Sequence, residues 1–204
     1  ALPLEIAGLI RNEKAFKSEA EEKIEYTIKS SAVELNTVFN SMESLVNMLQ
    51  ALVSTTFTYD IYSSNYNKFQ ELKKQSSIII KQTLKKTPYI SGMHITFNPE
   101  LHFGREEIYY AYKNGRVSFI NSAKLAQKWI EKGDPASDYY FKAIKYGKYW
   151  CGLDYESSID AYLASYTKSV YDINGTLIGI VGSDIRSDEI VKIIKAMRIY
   201  DDSQ

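Results

Sequence analysis

Residues 134–185 read DPASDYYFKAIKYGKYWCGLDYESSIDAYLASYTKSVYDINGTLIGIVGSDI, and this stretch decides the fold. Two segments with strand character, Ala161 to Tyr171 and Thr176 to Ile185, flank the four residues Asp172 to Gly175. These four contain an Asn-Gly pair, and because both residue types tolerate positive φ, the pair predicts a β-hairpin. The second strand is almost wholly apolar until it reaches a carboxylate, Asp184.

Aromatic side chains crowd the passage that leads into this hairpin. Six of them lie within a short helix-to-strand transition: Tyr139, Tyr140, Tyr146, Tyr149, Trp150 and Tyr155. Aromatic walls around one fixed charge are typical of small-molecule pockets, so the pattern predicts a pocket that ends on Asp184. Two interpretations of Trp150 stay open: a core residue, or a pocket wall that stacks on a cation.

Asp184 also has two interpretations. A buried carboxylate is costly unless it is paired or hydrogen-bonded, which favours a ligand anchor. Asp184, Ser187 and Asp188 nevertheless lie just before or at the start of a predicted helix that runs from Ser187 through Met197, so a helix cap fits equally well.

Two helical patterns precede the hairpin. From Glu13 to Val53, apolar residues recur every three or four positions, which predicts one helix of about 60 Å. This helix suits a scaffold along a sheet or a dimer contact. A turn over Phe57 to Tyr66 separates it from a second helix, Tyr66 to Lys86, which Pro88 stops.

The remaining elements are read from turn signals and alternation. Lys113-Asn114-Gly115 joins two predicted strands, Ile108 to Tyr112 and Arg116 to Ile120. The other predicted elements are a strand from Tyr89 to Phe97, a strand around Lys148 to Gly152, and short helices over Ser122 to Glu131 and Ser137 to Lys145. Antiparallel strands with helices on one face make an α+β domain.

The predicted fold class is therefore α+β, with a long N-terminal helix packed on a five-stranded antiparallel sheet, short connecting helices and a C-terminal helix. The predicted organisation has a helical arm and second helix over residues 1–86, a sheet domain over 87–186 and a closing helix over 187–204.

Composition narrows the function. Lys and Arg balance Asp and Glu at 25 each, which argues against nucleic acid as the main partner. The single cysteine, Cys151, forms no internal disulfide, and avoidance of cysteine fits an extracytoplasmic bacterial protein. No apolar run reaches the roughly 18 residues that a membrane span needs.

Catalysis has little support in the sequence. The two histidines are His94 and His102, and His94 lies mid-strand, where a core or pocket role is common. No nucleophile motif, phosphate-binding loop or metal-binding histidine pair is present. Asp154 and Asp160 lack a third spaced oxygen ligand, and the adjacent Glu106 and Glu107 are expected in solvent, so we expect no metal, no cofactor and no enzymatic activity of this domain.

The segments DPASDYYFKA, YWCGLDY and YTKSVYDINGTLIGIVGSDI, behind a long helix and a second helix, resemble the Cache sensor domains, which are extracytoplasmic and PAS-like. Such domains occur in bacterial and archaeal chemoreceptors, sensor histidine kinases and diguanylate cyclases. The resemblance runs from Glu13 to the end and is most specific in the C-terminal third. It implies a PAS-like sheet from a single Cache domain or the distal half of a double one, with residues 187–204 leading to a membrane span or a second module.

Many double-Cache domains that bind amino acids carry an Arg-x-Trp-Tyr pattern, a later Tyr and a final Asp. Tyr139 and Tyr140 match the Trp-Tyr step, Tyr155 the later Tyr and Asp184 the final Asp, while Ser137 occupies the Arg position. In the family the Arg clamps the ligand carboxylate and the Asp holds the amine. The resemblance therefore implies that this chain keeps the amine end of the site.

The resemblance implies a sensor for a small amine, a quaternary ammonium compound or an amino-acid-like ligand. A small carboxylate returns as a candidate if Lys142, Arg116 or His94 replaces the missing Arg. The predicted ligand-binding residues are Tyr139, Tyr140, Trp150, Tyr155, Asp184 and His94. We expect a homodimer through the long helix and a membrane tether in the full-length protein. The alternative is a structural or dimerisation module without a ligand.

Overall fold

The computed structural model describes residues 4–101, 106–121 and 137–196. The predicted helix over Ser122 to Glu131 and the histidine at 102 lie outside these residues. The chain divides into two compact units, one of residues 39–189 and one of residues 1–38 with 190–204. No helix of the described ranges carries an apolar stretch long enough to cross a membrane.

Helix α1 covers Leu4–Thr56 and is one continuous helix of 53 residues, longer at both ends than predicted. Within the larger unit, Met42, Val46, Leu49 and Val53 are fully buried. Their spacing of three or four residues places them on one stripe of the helix, which is the stripe that enters the core.

A second stripe of α1 makes polar contacts with the sheet. Glu43 accepts a hydrogen bond from Trp150 Nε1 at 3.0 Å, and Asn47 accepts one from Lys168 Nζ at 2.8 Å. Gln50 Nε2 donates to the carbonyl oxygen of Ser169 at 2.6 Å. Within the larger unit, α1 is thus packed on the sheet, as predicted, by an apolar stripe and a polar stripe side by side.

The segment predicted as a turn contains a short helix, α2, over Tyr59–Ser64. Six residues are too few to show a helical period, and the anchor is distant in sequence, because the Asp172 carboxylate accepts the Tyr59 N–H at 3.0 Å. Helix α3 covers Tyr66–Lys86 as predicted, and the Asn65 side chain caps it by accepting the Lys68 N–H at 2.9 Å.

The sheet has seven antiparallel strands where the predicted fold had five, and the strand over Asp154–Glu156 is the one that no predicted segment covers. They are β1 (Gly92–Phe97), β2 (Glu107–Lys113), β3 (Arg116–Phe119), β4 (Lys148–Trp150), β5 (Asp154–Glu156), β6 (Ala161–Tyr171) and β7 (Leu177–Arg186). The order is β3-β2-β1-β7-β6-β4, and β5 also pairs with β6. Helix α4 covers Asp138–Tyr146 and helix α5 covers Ser187–Ala196, close to their predicted positions.

Both predicted hairpins form. Asn114 and Gly115 have φ of 52° and 73° in the β2–β3 turn, and Gly175 has φ of 82° in the β6–β7 turn. In the second turn the Asp172 carboxylate accepts the N–H groups of Asn174 and Thr176, both at 2.9 Å. One buried side chain therefore holds the turn and, through Tyr59, the start of α2.

The two faces of the sheet have different neighbours. On the face that meets α1 and α3, which we call the helix face, Phe97 packs against Phe57 and Phe69 with ring centroids 5.2 Å apart in each pair. Tyr112 of the same face donates to the carbonyl oxygen of Leu84 in α3. The opposite face, which we call the site face, meets α4 through Tyr140, Ala143 and Ile180.

Candidate ligand-binding site

Asp184 is the centre of the site face. Strand pairing places it between Gly92 of β1 and Ser165 of β6. Its side chain is buried, Ser165 Oγ donates to Oδ1 at 2.6 Å, and the hydroxyl of Tyr109 donates a second hydrogen bond. Asp184 lies inside β7, and its carboxylate bonds β6 and β2, so the helix-cap interpretation is wrong and the ligand anchor stays a prediction.

The surroundings of Asp184 disfavour its charge. Burial raises the pKa of the Asp184 carboxyl, and the charge of His94 and the hydroxyls of Ser165 and Tyr109 offset this only in part. Burial and the nearby Asp184 also raise the pKa of the Cys151 thiol to about 12. No Lys or Arg of the described ranges forms an ion pair with Asp184. A ligand cation would therefore supply what this carboxylate lacks.

Two glycines allow the polar side chains to lie close to the strand backbone. A Cβ atom on Gly92 would lie 2.7 Å from Asp184 Oδ2, and a Cβ atom on Gly182 would lie 2.2 Å from His94 Nε2. Real side chains do not tolerate either distance. Because Gly92 and Gly182 have no side chains, the carboxylate of Asp184 and the imidazole of His94 fit into the space that such side chains would fill.

The His94 ring is held on several sides. It meets Tyr109 and Tyr139 edge to face, with centroids 6.0 Å and 5.8 Å away. Its Nδ1 lies 3.4 Å from Thr96 Oγ1, which donates to Glu107 Oε1 at 2.9 Å. Glu107 therefore contacts the site, and the prediction that it is solvated is wrong.

The adjacent Glu106 was expected in solvent as well, and it pairs instead with Lys73 of α3.

Helix α4 forms the apolar wall beside these polar groups. Tyr140, Ala143 and Ile180 form a buried cluster, against which Tyr139, Ile144 and Tyr149 pack. Thr167 Oγ1 lies 3.1 Å from the carbonyl oxygen of Tyr139 and 3.2 Å from that of Tyr149, which ties α4 and β4 to β6. The structure thus brings together four of the six predicted residues, namely Asp184, His94, Tyr139 and Tyr140.

Trp150 does not belong to this group. Alternation along β4 turns Tyr149 to the site face and Trp150 to the helix face. There its ring packs on Phe39 and Tyr166, with centroids 5.3 Å and 4.9 Å away. The pocket-wall interpretation is corrected by this placement, and the core interpretation stands.

Tyr155 is also absent from the site. It pairs with Tyr162 across β5 and β6, on the face opposite to Asp184, and its side chain is 55% exposed. Its hydroxyl donates to Asp160 Oδ1 at 2.7 Å. In the described part of the chain, no group of three or more His, Cys, Asp or Glu residues could hold a metal ion.

Among the three possible replacements for the missing Arg, only His94 lies at the site. Lys142 instead pairs with Asp138 at 2.7 Å and donates to the Tyr149 hydroxyl at 3.2 Å, and these contacts raise its pKa. Arg116 is exposed in the β2–β3 hairpin. Ser137, at the Arg position itself, is fully buried.

Three site residues were missed by the sequence analysis: Tyr109, Ser165 and Gly92. Each meets Asp184 through strand pairing between distant segments, and pairing partners are not written in local sequence. The sequence held a usable signal for Gly92. It lies two residues before His94, and residues two apart on a strand share a face.

Comparison with known proteins identifies a family. Residues 76–192, more than half of the chain, match the model described as methyl-accepting chemotaxis protein-like, first PDC sensor domain. This match confirms the resemblance to Cache-type sensors. No curated protein matches the chain.

Solved structures share the fold at low sequence identity. An extracellular domain assigned to a histidine kinase, soHK1S-Z6, aligns with a TM-score of 0.65 and 14% identity over 93% of this chain and 66% of its own. The ligand-binding domain of Campylobacter jejuni chemoreceptor Tlp3 in complex with L-valine aligns at 0.62 and 12% over 89% and 65%. A methyl-accepting chemotaxis protein X aligns at 0.65 and 15% over 92% and 68%. The chain thus spans about two thirds of the length of these proteins.

Proposed function

Because this chain belongs to the family of methyl-accepting chemotaxis protein-like first PDC sensor domains, we propose that it is the extracytoplasmic sensor domain of a transmembrane signalling protein and binds a small amine or amino-acid-like ligand. The ammonium group of the ligand binds Asp184. The full-length protein is a chemoreceptor, a histidine kinase or a diguanylate cyclase. Residues 187–204 connect the domain to a membrane span or a second module.

The observation that carries this proposal is the state of the Asp184 carboxylate. It is buried, its two donors are neutral hydroxyls, and burial raises its pKa. A buried charge of this kind is stabilised best by a fully desolvated opposite charge. An ammonium group supplies that charge together with donors for the remaining carboxylate lone pairs.

The identity of the ligand is supported by the related structures. The Tlp3 domain was solved with L-valine and with isoleucine bound, and both are α-amino acids with short branched side chains. In the present chain the apolar cluster of Tyr140, Ala143 and Ile180 lies on the same face as Asp184, beyond His94, so the face offers an aliphatic group apolar surface away from the charge.

We also propose that the protein forms a homodimer through α1. Among the side chains of this helix that the structure describes, Tyr26, Ile28 and Val33 are large apolar groups open to solvent, at 75%, 57% and 65% exposed. Tyr26 and Val33, seven residues apart, share a face of the helix, and a second copy of the helix would cover that face.

The test is a thermal-shift screen of the purified chain against amines, amino acids, quaternary ammonium compounds and small carboxylates, repeated with Asp184→Asn. A ligand that binds only the folded state raises the melting temperature. We expect a rise of several degrees with ammonium compounds in the wild type and none in the variant. A rise with carboxylates alone, or one that survives in Asp184→Asn, would reject the ammonium site, and a flat screen would favour the structural module.

A further inference from the structure

The His94 ring lies where β7 lacks a side chain. A Cβ atom on Gly182 would lie 2.2 Å from Nε2, 2.8 Å from Cε1 and 3.0 Å from Cδ2, and all three of these nearest atoms belong to His94. Strand pairing sets His94 directly opposite Gly182. The imidazole therefore reaches across from β1 and covers the backbone of β7.

This position separates two parts of the site. On β7 the residues of the site face alternate as Asp184, Gly182 and Ile180, since residues two apart share a face. Asp184 is the charged end, and Ile180 belongs to the apolar cluster under α4. The ring over Gly182 thus stands between the carboxylate and the apolar wall, about 7 Å along the strand from each.

The ring has little freedom to leave this place. It is 6% exposed, meets Tyr109 and Tyr139 edge to face, and lies within hydrogen-bond distance of Thr96. These contacts come from β2, α4 and β1. A side chain fixed from three elements can act as a wall, whereas a mobile one would yield to the ligand.

We propose that His94, seated on Gly182, is the specificity-determining wall of the site and limits the length of the apolar chain that an ammonium ligand can carry. This inference rests on the proposed function, because it takes the ammonium at Asp184 as given. The preferred ligand is compact, with its carbon atoms close to the charge. A longer chain meets the imidazole before it reaches Ile180.

The test measures the affinity of a series of n-alkylammonium chlorides, from methyl to hexyl, by calorimetry, with the corresponding alcohols as uncharged controls. In the wild type, affinity rises over the first members and then stops rising. In His94→Ala the rise continues to the longer members, by about fourfold for each methylene that enters the apolar cluster. In Gly182→Ala the added Cβ displaces the ring into the ligand space, and the limit moves to a shorter chain.

Two further variants separate specificity from folding. The double variant His94→Ala/Gly182→Ala removes the clash and recovers both the melting temperature and the long-chain binding of His94→Ala. Gly152→Ala is the matched control, because a Cβ atom on Gly152 meets nothing within 4 Å, and it leaves the series unchanged.

The outcomes distinguish this inference from the proposed function. If the dependence of affinity on chain length is unchanged in His94→Ala and Gly182→Ala, and binding is still lost in Asp184→Asn, the role of His94 as the wall is wrong and the ammonium site stands. No response to any ammonium compound, in this series or in the screen, overturns both.

Discussion

The β6–β7 hairpin carries a buried carboxylate at each end. Asp172 in the turn is 5% exposed, and Asp184 near the end of β7 is 3% exposed. Burial disfavours the charge of Asp172, yet the backbone N–H groups of Tyr59, Thr176, Asn174 and Gly175 outweigh it and lower the pKa. Burial also disfavours the charge of Asp184, and there the neighbouring groups do not outweigh it, so the pKa is raised.

The difference lies in what the partners are attached to. Backbone N–H groups in a turn and at a helix start are held by the fold, so they stabilise the charge of Asp172 permanently. The hydroxyls of Ser165 and Tyr109 can rotate and are neutral, so they leave the charge of Asp184 incompletely stabilised. Asp172 is therefore a structural residue, whereas the charge of Asp184 is left for a cation to stabilise.

The largest expected effect comes from removing the charge of Asp184. Asp184→Asn should weaken the binding of an ammonium ligand by at least about 30-fold, because the ligand cation then loses a buried charged partner. Calorimetry with the best compound of the thermal screen measures this. Asp172→Asn serves as the matched control and should keep the wild-type affinity. Equal losses in the two variants would remove the distinction between the carboxylates.

On stability, in contrast, we expect the larger effect at Asp172. Asp172→Ala deprives the N–H groups of Tyr59, Asn174 and Thr176 of their side-chain acceptor and should lower the free energy of unfolding by about 2–3 kcal/mol. Urea denaturation with ligand absent measures the change. Asp184→Asn should be neutral or stabilising in the same assay, since it removes a poorly stabilised charge. A strongly destabilised Asp184→Asn would make that residue structural too.

The pH dependence of stability should separate the two groups. The pKa of Asp172 is lowered in the folded state, so its contribution is present above the ordinary Asp pKa of about 3.9 and is lost as the pH falls through the lower, folded value. The pKa of Asp184 is raised, so the folded state binds its proton more tightly, and stability falls as the pH rises from about 3.9 through the higher, folded value.

Urea denaturation of the wild type and of Asp184→Asn between pH 4 and 8 measures whether Asp184 lowers the stability as the pH rises. The variant should gain stability relative to the wild type as the pH rises. Parallel curves would contradict the raised pKa.

The smallest effect is expected from Ser165→Ala. The variant removes the donor at 2.6 Å from Asp184 Oδ1 and should change ammonium affinity by about fivefold, which corresponds to roughly 1 kcal/mol for one hydrogen bond. Because this bond lowers the pKa of Asp184, its loss should move the acidic limit of ligand binding to higher pH. Calorimetry as a function of pH measures both, and an unchanged acidic limit would show that Ser165 does not act through the carboxylate.

The parts of the fold that were predicted correctly depend on local sequence. The turns at Asn114-Gly115 and Asn174-Gly175 and the period of α3 are determined within a few residues. The α2 helix was missed because its anchor is Asp172, more than one hundred residues away. Strands β4 and β5 have three residues each, too few for alternation to reveal which face each side chain takes.

The site was predicted in part for the same reason. Asp184 stands out as a charge ending an apolar strand, whereas Tyr109 and Ser165 become its neighbours only through pairing of β1, β2, β6 and β7. Trp150 and Tyr155 belonged to the right passage of sequence, but the registers of β4 and β5 against β6 turn them to the other face.

The polar stripe of α1 has a consequence for the order of folding. Its three hydrogen bonds join residues 107 to 121 positions apart, so none of them can form before β4 and β6 exist. A helix of this kind gains its turns within microseconds, but its docking waits for the slower pairing of distant strands. We therefore expect the apolar stripe of Met42, Val46, Leu49 and Val53 to be synthesised well before the strands on which α1 docks, and to stay uncovered until they pair.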